Sequence, residues 1–167
     1  MRTFALLVAT TAGCSYDPGA FSYPGRQFPG QRVTVGCLDI SVDRRADMDD
    51  KVVVNYQFGN RCNESVVVDL VRVPVTGRTT MGDEVTLAAF DPKTELIALK
   101  LGARQAGGEA IAYPYPTAHA LTQICVDAAA IYAGAREHRW LCFGSKEPNV
   151  EPTPLPAPEP LVAEVTP

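Results

Sequence analysis

The chain is short of the residue types that most often carry chemistry. Its 167 residues include two histidines, His119 and His138, and one tryptophan, Trp140, and no Cys-x-x-Cys pair. A zinc site needs three or four suitably spaced nitrogen or sulfur ligands, and two isolated histidines do not supply them. The missing Cys-x-x-Cys argues against a dithiol redox function. There is no Gly-x-Ser-x-Gly elbow, and neither histidine stands in a context that would make it the base of a nucleophilic site. No apolar run approaches the roughly 20 residues of a membrane-spanning helix. Nor is there a basic stripe: residues 31–145 hold 12 Lys/Arg against 14 Asp/Glu, and the whole chain carries a formal net charge of −4. Nucleic acid therefore finds no electrostatic footprint. No catalytic residue, metal site or cofactor is assigned from the sequence.

What the sequence does have is a core and a period. Apolar residues make up 46% of the chain, enough to bury one domain of this length. The apolar positions repeat every second residue rather than every 3.6. Leu38, Ile40 and Val42 share a face, with Asp39 and Ser41 on the other. Val52, Val54, Tyr56 and Phe58 share another, as do Val66, Val68 and Leu70. The same alternation recurs at Val85–Ala89, Ile97–Leu101 and Ile111–Tyr115, and two short strands follow near Gln123–Val126 and Trp140–Phe143. Turn residues separate the runs: Asp49-Asp50, Gly59-Asn60, Gly77, Gly82-Asp83, Asp91-Pro92, Gly107-Gly108 and the Pro114/Pro116 pair. Seven or eight such strands predict an all-β, antiparallel sandwich, immunoglobulin-like in architecture, over residues 31–145. Asp127 is placed to cap a short Ala-rich helical turn after the last long strand.

The N-terminus carries an address. Arg2 precedes a short apolar run from Phe4 to Ala9, and small residues follow, as in an export signal over residues 1–13. The segment Thr11-Ala12-Gly13-Cys14 resembles the lipobox of bacterial lipoproteins, with Thr11 standing where that family usually has Leu. The resemblance covers about the first fifteen residues. It implies that Cys14 is acylated and becomes the mature N-terminus, and that Ser15 behind it directs the protein to the outer membrane. Three acyl chains exceed what stable anchoring requires.

Export to an oxidising compartment gives the remaining cysteines a meaning. Cys37, Cys62, Cys125 and Cys142 form an even set, which predicts two disulfides. Four cysteines allow three pairings. Cys125 with Cys142 is favoured because the two flank a closing hairpin, which leaves Cys37 with Cys62.

Two Pro-rich segments flank the domain. Residues 14–30 contain Pro18-Gly19, Pro24-Gly25 and Pro29-Gly30, interleaved with Tyr16, Phe21, Tyr23 and Phe28. Each Pro-Gly pair suits a type II turn. The segment is read as a lipidated tether that spaces the domain from the membrane; the competing reading has its aromatics packed on the domain. Residues 146–167 hold seven prolines, four glutamates and one lysine, and are read as a disordered tail favouring extended polyproline II.

Among surface features, Tyr113 and Tyr115, next to Pro114 and Pro116, are the best partner-binding candidate, since exposed tyrosines make good interface anchors. Their alternative is a strand end with core tyrosines. The acidic run Asp43, Asp47, Asp49 and Asp50 is interleaved with Arg44, Arg45 and Lys51 and lacks a calcium-loop pattern, so it reads as a solvated hairpin turn. The sequence thus points to a non-catalytic envelope lipoprotein, held in the membrane by lipid, with a binding or scaffold domain for an envelope protein. An accessory lipoprotein of a secretion machine, or a small envelope hydrolase or carbohydrate-binding accessory, are the rival expectations.

Overall fold

The computed structural model describes residues 15–45, 50–89, 98–132 and 137–144. Within them the chain is all-β and antiparallel. The strands are β1 (Gln31–Val35), β2 (Leu38–Arg44), β3 (Lys51–Asn60), β4 (Val66–Asp69), β5 (Val75–Thr79), β6 (Glu84–Leu87), β7 (Ala98–Leu101), β8 (Ala106–Pro114), β9 (Leu121–Asp127) and β10 (Trp140–Gly144). One four-stranded sheet runs β1-β2-β3-β8, a second runs β10-β9-β5-β6, and β4 pairs with β7. Apolar residues of all three sheets meet in one buried cluster, from Ile40, Val54 and Phe58 to Val68, Leu101, Ile124 and Val126. This is the sandwich that the period-two alternation predicts. Its connectivity is its own, since β1, β2 and β3 form a meander inside one sheet, whereas immunoglobulin domains cross between sheets earlier. Among the described residues no helix is long and apolar enough to cross a membrane.

Ten strands are found where seven or eight were expected, and glycine accounts for the difference. Ahead of the Leu38–Val42 run the chain forms a further strand, β1, and the two make a hairpin turned at Gly36 with φ +55°. Gly77, read as a turn, lies inside β5, where a Cβ would stand 3.1 Å from the Leu121 side chain. Gly59 and Gly107 likewise lie within β3 and β8, and each is crossed closely by a side chain from elsewhere. These glycines mark close approach, not chain reversal.

β3 shows the rule most plainly: Val52, Val54, Tyr56 and Phe58 are buried and alternate with half-buried partners. β2 departs from it. Asp39 and Ser41, expected to face away from the core, are also buried. The reason lies in the segment before β1. The tether reading of residues 15–30 is corrected here: Tyr16 and Phe28 are buried, and the segment lies on the outer face of the first sheet. Its Pro-Gly turns are present, with Gly19, Gly25 and Gly30 all near φ +80°. The packed domain therefore begins at Tyr16 rather than at residue 31. The predicted helical turn is a 3₁₀ turn at Ala128–Ile131, and Asp127 caps it by accepting the Ala129 N–H. The expected signal (residues 1–13), Cys14 and the tail (146–167) lie outside the described residues.

The cysteines pair as Cys37–Cys62 and Cys125–Cys142, the pairs favoured from their spacing. The first ties the β1–β2 turn to the chain leaving β3. The second bridges directly opposed residues of β9 and β10. Sequence separations of 25 and 17 correspond to about 3 kcal/mol each in the chain-entropy model.

Candidate functional site

The most elaborated feature is the seat of the N-terminal segment. Asp39, on the outer face of β2, is completely buried and bonds three donors. It accepts from the Tyr16 hydroxyl (2.9 Å), the Gly19 N–H (2.6 Å) and the Thr34 hydroxyl (2.6 Å). Arg61 Nε lies 3.7 Å from the same carboxylate. A buried charge is tolerable only when it is paired and fully bonded in this way. The Tyr16 ring lies over Gly59, where an added Cβ would come within 2.0 Å of it, and stacks on Phe28 with centroids 5.9 Å apart. The Tyr16 N–H donates to Arg104 O at 2.6 Å. Burial, and then the bond to the Asp39 carboxylate, push the Tyr16 hydroxyl far above its ordinary pKa. Ser41 donates to Pro29 O and fastens the other end of the segment. Between these fixings, Tyr23, Pro24, Arg26, Gln27, Phe28, Pro29 and Gln57 line a surface hollow of about 690 Å³.

A second polar cluster closes the other sheet. Asp127 is buried and accepts from Ala129 N–H (3.2 Å) and Arg139 N–H (2.9 Å), and it meets His138 Nδ1 at 2.5 Å. Burial alone would raise its pKa, but the bonds from His138, Arg139 and Ala129 outweigh it and hold the carboxyl below the usual range. His138 is exposed and stacks against Trp140, itself 46% exposed, with centroids 6.3 Å apart. His138 is thus an exposed tip whose ring locks the turn that Asp127 caps. Together Asp127 and His138 orient the backbone of this turn.

The tyrosine candidate is corrected. Tyr113 is 1% exposed and its hydroxyl lies 2.7 Å from that of Tyr56, inside the core. Tyr115 is half-buried and packs on the same core. The alternation that places Ile111 inward carries Tyr113 inward with it, so it offers nothing to a partner. Burial, followed by the Tyr113 hydroxyl, raises the Tyr56 pKa well above its ordinary value.

The acidic run behaves unevenly. Asp50 is exposed and Asp43 half-buried, while Asp47 and Asp49 lie outside the described residues. Arg44, read as part of a solvated turn, is wholly buried and donates to Leu121 O at 3.0 Å. No group of three or more His, Cys, Asp or Glu able to hold a metal occurs among the described residues. The Asp39 seat was missed in the sequence reading. Its only available signal was a charged residue inside an apolar strand, with aromatics clustered just upstream.

No protein-family model matches the chain, and no curated protein matches it either. Its structure is similar to the crystal structure of the yjhA protein from Bacillus subtilis, with a TM-score of 0.46 and 12% identity over 70% of this chain and 97% of that one. What defines the molecule is therefore its own construction. It is an antiparallel, disulfide-stapled sandwich whose N-terminal segment is clamped to one sheet.

Proposed function

We propose that the chain is a lipid-anchored protein of the bacterial outer membrane, and that its sandwich acts as a non-catalytic binding or scaffold module in the envelope. The observation that carries this reading is the pair of disulfides, Cys37–Cys62 and Cys125–Cys142, behind a lipobox-like Cys14. Disulfides persist in oxidising compartments such as the periplasm, and a segment ending in Ala12-Gly13-Cys14 supplies the address. The hollow beside Tyr23 and Arg26 is the concave surface this reading offers to an envelope partner.

Fractionation tests the address. The wild-type chain sediments with outer membranes and is released only by detergent, whereas Cys14→Ala is lost from that fraction. A Cys14→Ala variant that remains membrane-bound to the same extent contradicts the proposal.

A further inference from the structure

We propose that the end of the sandwich carrying the Tyr16 seat lies directly on the surface of a phospholipid bilayer. The inference rests on the acylation of Cys14 proposed above. Only Ser15 separates Cys14 from Tyr16. Two residue steps reach at most about 7 Å. Tyr16 cannot lengthen that leash. Its ring is buried against Gly59, its hydroxyl is bonded to Asp39, and its N–H is bonded to Arg104 O. The surroundings of Tyr16 therefore stand about as far from the acylated cysteine as one headgroup layer is deep, roughly 5–7 Å.

Those surroundings suit headgroups. The first sheet ends there in two turns, residues 61–65 and 102–105, brought together by the pairing of Gly59 with Ala106. They present Arg61, Asn63, Glu64, Arg104 and Gln105, with Arg104 Nε donating to Asn63 at 3.2 Å. The Arg61 side chain is 40% exposed although its Nε is buried beside Asp39. No large apolar side chain is exposed in these turns, so this end rests on the membrane rather than in it. The Cys37–Cys62 disulfide and the Arg104 N–H bond to Cys62 O brace the same turns.

The second sheet brings its own contribution to this end. Gly36, in the β1–β2 turn, is crossed closely by Tyr132, and β1 touches the 3₁₀ turn that Asp127 caps. Arg139 and Trp140, both exposed, follow beside that turn. Indole and guanidinium are the side chains that settle at a bilayer interface. The exposed Met81, by contrast, sits in the β5–β6 turn. The Thr80 N–H bond to Ala120 O places that turn beyond the far end of β8, nine residues and about 30 Å away. The sandwich thus stands with its stapled end down.

The test uses the full chain, made with its leader in a bacterial host, purified from membranes and reconstituted into vesicles of phosphatidylethanolamine and phosphatidylglycerol. The lipids carry bromines near the headgroup end of the acyl chains. Intact mass first establishes whether Cys14 is acylated. Two probes are compared in a Trp140→Phe background: Ala103→Trp, in the seat-end turn, and Met81→Trp, at the opposite end. The expected result is quenching of the Ala103→Trp probe about twofold or more, with the Met81→Trp probe unaffected, and loss of that contrast when Tyr16→Ala is added. An acylated protein in which both probes respond alike overturns the seating while leaving the anchor intact. A chain without acyl mass overturns the anchor, and the seating with it.

Discussion

Replacing Gly59 with Ala tests the N-terminal seat at its tightest point. A Cβ there would fall 2.0 Å from the Tyr16 ring. The methyl group cannot be accommodated while Tyr16 stays in place, and Gly59 has backbone on both sides that is paired in β3. The segment must therefore lift off. Lifting off forfeits the burial of the Tyr16 ring, about 2 kcal/mol, and its hydroxyl bond to a charged, buried partner, about 1.5–3 kcal/mol. The expected destabilisation is about 4 kcal/mol, a large part of the 5–15 kcal/mol of an ordinary domain. In a Tyr16→Ala background most of that has already been lost, so Gly59→Ala then costs under about 1 kcal/mol. The coupling between the two substitutions is about 3 kcal/mol, well beyond the additivity error of distant sites. Urea denaturation of the two single variants and the double variant measures it, and trypsin cleavage after Arg26 reports separately on release of the segment. Effects that simply add, with Arg26 equally protected in all the variants, refute the reasoning.

Other expectations follow from the buried polar groups. Tyr113→Phe removes the hydroxyl that the buried Tyr56 hydroxyl meets at 2.7 Å and should cost about 1–2 kcal/mol, while the Tyr56→Phe, Tyr113→Phe double variant should cost less than the sum of the single changes; thermal melts check this. Tyr16 and Tyr56 both have folded-state pKa values raised above the unfolded one, so their contribution is complete below about pH 10 and is lost as the pH climbs past it. Stability measured across pH 9 to 11.5 should fall, and should fall less for Tyr16→Phe. Asp127 has the opposite sign: its folded pKa is depressed, so its contribution is present above the ordinary carboxyl range and disappears as the pH drops through the folded value. Asp127→Ala should cost about 2–3 kcal/mol near neutrality and flatten the acid limb of the stability curve. Reduction of either disulfide should cost about 3 kcal/mol by denaturant titration.

The strands were legible because burial on one face forces a period of two, which the residues of β3 and β8 state openly. The disulfides were legible because four cysteines beyond the lipobox-like segment have only three ways to pair, and Cys125 and Cys142 sit on neighbouring strands. The seat was not. Asp39 and Ser41 alternate with Leu38, Ile40 and Val42 as solvent-facing residues would, and nothing local says that a Pro-Gly segment returns to cover them. Contact between Tyr16 and Gly59 spans 43 positions, beyond the reach of any periodicity. Tyr113 misled for a related reason: flanking prolines suggest exposure, but its side-chain direction is set by the pleat it shares with Ile111. The glycines of β3, β5 and β8 misled because the same residue type serves a turn and a close approach.

Whether the stapled sandwich hangs from an acylated cysteine is decided by intact mass spectrometry of the membrane fraction, with and without reduction and thiol labelling. The expected species is a mature chain beginning at Cys14, heavier by its acyl chains, with four thiols labelled only after reduction. A soluble chain without acyl mass, or cysteines labelled before reduction, would contradict it.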